Sequence, residues 1–252
     1  MKLPINCMQC FHENGHPSFE FQTTEVRDDG LYCSTCEKGH KTLTVIQEQK
    51  FEVLFAVGTL AIKDGYPREA ISSIAASLER FYEFFIKVIC LKNNIEISIF
   101  DEAWKDVSSQ SERQYGAYLF THLIDKNVNS PTIDNAKPLI PNLSKNKTLN
   151  WREFRNSVVH KGYIPTTEEA IAYADIVFNH INEIIADLKL SASEFIQKAT
   201  FHHLSRSQEL AGEMITSTMS IPTPVSLTRN QEEQLSFRTI LKQADNYRNF
   251  FR

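Results

Sequence analysis

The chain has 252 residues, 42% hydrophobic and 23% charged, enough for one sizeable core plus a small extra module. A formal net charge of -4 argues against a basic nucleic-acid coat, and no run of 18 apolar residues is present to cross a membrane. The opening MKLPINCMQC lacks the apolar core of a signal peptide, so the expected location is cytoplasmic.

In chain order, residues 1–48 are short on helical periodicity and carry β-prone pieces at 18–24 (SFEFQTT), 30–32 and 41–46 (KTLTVI), separated by turn residues. They predict a small β-rich module, with 4 Lys/Arg against 7 Asp/Glu. From Phe51 the pattern turns helical, and a first helix stops at Asp64-Gly65. Pro67 suits the first turn of a longer helix running to Lys92, with Ile71, Ile74, Leu78, Phe81, Phe85 and Val88 forming an apolar stripe for burial. A third helical stretch covers 111–125, and proline-bearing loop chemistry follows at 127–142.

A short helix is predicted over 150–160, ended by Gly162 and Pro165. Thr166-Thr167-Glu168-Glu169 then caps a helix to Leu190. Residues 193–214 read as helical, 216–229 as a linker or arm, and 230–251 as a last amphipathic helix. The expected domains are 1–48, 49–190 and 191–252, and the expected fold class is mainly α.

Four of the five cysteines form two CxxC pairs, Cys7/Cys10 and Cys33/Cys36, with 22 residues between them. Such pairs suit a reducing compartment better than a disulfide framework. Two thiolates at this spacing grip one face of a zinc ion, and a second pair completes a tetrahedron, so these four are the expected ligands of a structural Zn2+. His12, His16 and His40 lie close enough to replace one of them. Cys90, on an apolar helix, reads as a core residue.

Residues 155–162 read RNSVVHKG. Across 137–161, six Lys and Arg stand against Glu153 alone, the most basic stretch of the chain. Arg155 is a planar donor for phosphate oxygens, and His160 exchanges a proton near neutrality. Asn156 can orient either of them, and Lys161 adds charge. Together they suit RNA cleavage in which the 2′-OH attacks the adjacent phosphate. Five residues on a helix set two side chains about 140° apart, so they converge by fraying at Gly162 or across a two-fold axis. An ordinary solvated Arg with a histidine facing the helix dipole is the plain alternative.

RNSVVHKG resembles the R-[polar]-x(3–5)-H signature of HEPN domains, small α-helical bundles found in many ribonucleases. Residues 64–88, DGYPREAISSIAASLERFYEFFIKV, are similar to the second long helix of that family, and 150–190 to its motif helix and last helix. The likeness covers about residues 50–190 and leaves out the cysteine module and the C-terminal arm. It implies an antiparallel helical bundle and an endoribonuclease without a catalytic metal, acting as a homodimer. Arg155, His160 and Asn156 match the motif positions. Glu79, if turned into the cleft, supports Arg155 or His160. Such proteins include toxins and antiviral effectors, restrained by an antitoxin or sensor partner. Two other readings stand beside it: a non-catalytic module of the same kind that binds nucleic acid or protein, and a zinc-ribbon adaptor that dimerises through its helices.

Overall fold

The computed structural model describes residues 2–16, 22–137, 140–142, 147–209, 216–229 and 235–248. Among them the protein is mainly helical. The chain forms two compact units, one made of Met1–Gln49, Thr200–Pro222 and Gln243–Arg252, the other of Lys50–Ala199 and Thr223–Lys242. Residues of the 191–252 stretch fall in both.

In the first unit, β1 (Lys2–Ile5) pairs antiparallel with β2 (Gln22–Glu25), and the short helix α1 (Met8–Asn14) lies between them in the chain. Strands β3 (Leu31–Thr35) and β4 (Lys41–Ile46) form an antiparallel ladder with Cys33 opposite Leu43. The 18–24 strand expected from the sequence begins at Gln22, and residues 18–21 lie outside the described ones. Alternation along β3 buries Tyr32 and Ser34 and turns Cys33 and Thr35 outward.

The other unit is built on a long central helix. Helix α2 (Lys50–Lys63) packs against α3 (Pro67–Lys92), and α3 also packs against α4 (Ile97–Val107), α5 (Ser111–Lys126) and α6 (Trp151–Lys161). The predicted α3 stripe is the core: Ile71, Ile74, Phe81, Phe85 and Val88 are fully enclosed and Leu78 nearly so. Helix α4 falls where no helix was expected, and its Phe100 and Trp104 are buried and stacked. A short hairpin, β5 (Ile140–Asn142) with β6 (Lys147–Leu149), precedes α6.

The two helices expected after Thr166 are both present, following each other in α7 (Thr167–Glu209) across a kink at Ala192, where the backbone leaves helical geometry. The expected linker instead opens with β7 (Thr216–Met219), which extends the first unit's sheet by pairing parallel with β4. The last helix, α8 (Phe237–Arg248), places Phe237 against Phe55 and Phe178 in the helical unit. Phe250 and Phe251 lie outside the described residues.

Candidate functional site

Two groups of side chains carry chemistry, one in each unit. In the first unit Cys7, Cys10, Cys36 and His40 bring one ligand atom each within 4.8 Å of one another. Cys7 caps α1 and its sulfur accepts from the Cys10 amide at 3.5 Å. Cys36 follows the end of β3, and a tight turn returns the chain under it: the Gly39 amide donates to the Cys36 carbonyl, and the Cys36 amide to the His40 carbonyl. Gly39, at φ +83°, takes the left-handed conformation this turn requires.

Cys10 Sγ lies 3.7 Å from Cys36 Sγ and 3.4 Å from His40 Nδ1, and Cys7 Sγ lies 3.8 Å from the same nitrogen. A tetrahedral ion with metal–sulfur bonds of about 2.3 Å and metal–nitrogen bonds of about 2.0 Å spaces two sulfurs about 3.8 Å apart and sulfur from nitrogen about 3.5 Å. The group therefore has the size and donor set of a zinc site. Burial, helped by hydrogen bonding with the Cys7 and Cys36 thiols, pushes the Cys10 thiol up to about 12. Burial also acts upward on Cys36, but hydrogen bonds led by the His40 backbone bring it down.

The four-cysteine set expected from the two CxxC pairs is thus met in three positions. Cys33 is exposed on the outward face of β3 and stands outside the group, and His40 takes the fourth place. By the two-residue period of a strand, Cys33 projects from the face of β3 opposite to that of its buried neighbour Ser34. The sequence carried a signal for this in the Cys36-x-x-Gly39-His40 spacing. Glu13, missed by sequence reasoning, lies behind His40, with its Oε1 3.5 Å from Nε2.

In the helical unit α6 carries the Arg–His motif. Asn150 caps it in a reciprocal box with Glu153, and Gly162 closes it in a left-handed turn. Trp151 is buried and its Nε1–H donates to the Ala136 carbonyl at 2.8 Å, while Phe154 and Val158 seat the same face in the core. The helix is therefore held at both ends.

Arg155 stands half-buried in the midst of three partners. Its Nη2 pairs with Glu79 of α3, and its Nη1 donates to Asn156 Oδ1 at 2.9 Å and faces His160 Nε2 at 3.5 Å. The five-residue spacing was expected to keep arginine and histidine off a shared face, yet they meet within one chain. Backbone angle fixes where each side chain starts, and the long arginine arm with its forked tip spans the difference. Arginine can only donate, so a hydrogen bond across this gap requires the Nε2 lone pair. His160 is exposed. Glu112, at the start of α5, is held low by its own amide and the Ser111 hydroxyl, with smaller contributions from Arg155 and His160.

Lys161, the remaining candidate from the motif, is exposed at the end of α6. Arg80 turns to Glu83 and Gln114, each at 2.6 Å. Tyr163 donates to Glu169 at 3.0 Å. The basic stretch is partly neutralised: Arg152 pairs with Asp134 at 3.3 Å, and Arg155 with Glu79. Lys137 is exposed, and Lys145 lies outside the described residues.

No protein-family model matches the chain, and neither a curated protein nor a solved structure does. No helix among the described residues is long and apolar enough to cross a membrane.

Proposed function

We propose that the protein is an endoribonuclease of the HEPN kind, with Arg155 and His160 as its reacting pair. The observation that carries this reading is the approach of Arg155 Nη1 to His160 Nε2 within one chain, with Glu79 and Asn156 fixing the guanidinium. In the reaction the 2′-OH attacks the neighbouring phosphorus and the bond to the 5′-oxygen breaks. The 2′-OH proton passes to His160 Nε2, and the 5′-oxygen takes a proton from water. Arg155 offers its donors to the phosphate oxygens as charge builds on them.

The family likeness extends the reading to a homodimer acting as a toxin or antiviral effector, and Cys7, Cys10, Cys36 and His40 are proposed to hold a structural Zn2+. A non-catalytic binding module would be favoured by a buried or separated pair. Here the two side chains are adjacent and His160 is exposed.

Sequencing the ends of RNA cut by the wild type and by His160→Ala tests the proposal. The expected ends are 2′,3′-cyclic phosphate and 5′-hydroxyl, formed about 10²–10⁴-fold more slowly by the variant. Undiminished cleavage by a pure, folded His160→Ala protein would remove His160 from the reaction.

A further inference from the structure

Three residues of the first unit recur at three-residue steps: Cys7, Cys10 and Glu13. Cys7 caps α1 and the other two lie within it, so Cys10 and Glu13 stand one turn apart on the same side of the helix. That side faces His40. One ring nitrogen of His40, Nδ1, lies 3.4 Å and 3.8 Å from two cysteine sulfurs. The opposite one, Nε2, lies 3.5 Å from Glu13 Oε1. Gln9, on the preceding turn, donates its amide to the same oxygen at 3.1 Å, and the Lys38 ammonium stands 3.9 Å from Oε2. Glu13 Oε1 thus stands between the Gln9 amide and the His40 ring, with the Lys38 ammonium near the other oxygen.

We infer that Glu13 is a positioning residue for the metal centre, accepting the Nε2–H of His40 so that Nδ1 is presented to the ion. This rests on the zinc reading above. An imidazole that binds a metal through one nitrogen must carry its proton on the other, and an acceptor there fixes both the tautomer and the plane of the ring. A carboxylate acceptor also makes the ligating nitrogen a better donor. The ion that suits the donor set is a borderline-soft divalent cation taking three thiolates and one imidazole, as Zn2+ does.

The test is zinc affinity measured by chelator competition on the full-length protein, for wild type, Glu13→Ala and Glu13→Gln. Glu13→Ala is expected to bind Zn2+ about 10–100-fold more weakly, and Glu13→Gln, which keeps an acceptor without the charge, to fall between. The same Glu13→Ala change placed in a His40→Cys background is expected to have no effect, because no imidazole remains to be oriented. A purely structural role in α1 would weaken binding equally in both backgrounds, and that result would overturn the inference. Unchanged affinity in Glu13→Ala would overturn it too, with the zinc reading intact.

Failure of the wild type to bind one Zn2+ per chain would instead sink the zinc reading itself, and this inference with it. If His40→Cys binds no metal, the Nε2–H proton resonance of zinc-loaded protein decides. It is expected to be protected from exchange in wild type and lost in Glu13→Ala, and its survival in the variant would overturn the inference.

Discussion

Arg155 and His160, five residues apart on one helix, bring Nη1 and Nε2 to 3.5 Å, and Glu79 from α3 pairs with the arginine's Nη2. A lysine would keep the charge at this position and lose the fork, since an ammonium cannot address Glu79, Asn156 and a phosphate in one plane. Under the proposed cleavage, Arg155→Lys is therefore expected to cut RNA about 10²–10³-fold more slowly than wild type. Glu79→Gln, which leaves the guanidinium in place without its charge partner, should lose less. Single-turnover rates on one RNA measure both. Equal rates for Arg155→Lys and wild type would leave the fork without a role.

The motif helix depends on its cap as much as on its core face. Asn150 Oδ1 accepts from the Glu153 amide at 2.8 Å, and Glu153 reaches back to the Asn150 amide at 3.4 Å. Asn150→Ala leaves the Glu153 amide without its acceptor and is expected to cost about 1 kcal/mol, while Asn150→Asp retains the acceptor and most of the stability. Urea unfolding followed by tryptophan fluorescence reads this directly, because Trp151 is fully enclosed and loses that environment on unfolding.

Much of the helical unit was legible because burial writes itself into a helix every three to four residues, and the α3 stripe from Ile71 to Val88 is enclosed as its spacing implies. The strand β7 was not. Its TSTM carries no apolar alternation, and its pairing with β4 joins residues some 170 positions apart, a relation that local pattern cannot encode. At the candidate sites, residue types were readable and directions were not. Cys33 reads as equivalent to Cys36 in the sequence yet lies exposed outside the four-atom group, and Glu79 has its partner only where α3 and α6 pack together. The charge of the 137–161 stretch was readable, but Asp134, lying just before it, takes up Arg152.

A buried imidazole makes the helical unit sensitive to acid. His180 is enclosed against Tyr82, with Nε2 3.1 Å from the phenol oxygen, and burial, then the neighbouring His122, lowers its pKa to about 4. In the unfolded chain an imidazole binds a proton near pH 6.5. Between those values the unfolded state takes the proton and the native state does not, so the stability from this group is complete above about pH 6.5. It declines as the pH falls toward 4, by roughly 3 kcal/mol at most. Urea midpoints across this range should fall with pH in wild type and fall less in His180→Gln, which keeps a partner for Tyr82. Parallel slopes in the two proteins would place the acid sensitivity elsewhere.

The metal group makes opposite predictions for two cysteines that the sequence presents as a pair. Cys36 Sγ lies 3.7 Å from Cys10 Sγ, inside the four-atom group, whereas Cys33 is exposed three residues earlier. Cys33→Ser removes an outward thiol opposite Leu43 and is expected to keep one Zn2+ per chain with unchanged affinity. Cys36→Ser and His40→Ala each take away one of four donors, and both should lose the ion to a competing chelator at concentrations the wild type withstands. The first unit should then loosen, because a bound ion contributes its binding free energy to folding and the strands it ties are short. Zinc content after dialysis, together with far-ultraviolet circular dichroism, reads both effects. A Cys33→Ser protein that loses its zinc as readily as Cys36→Ser would show that four cysteines hold the ion and that His40 is a bystander.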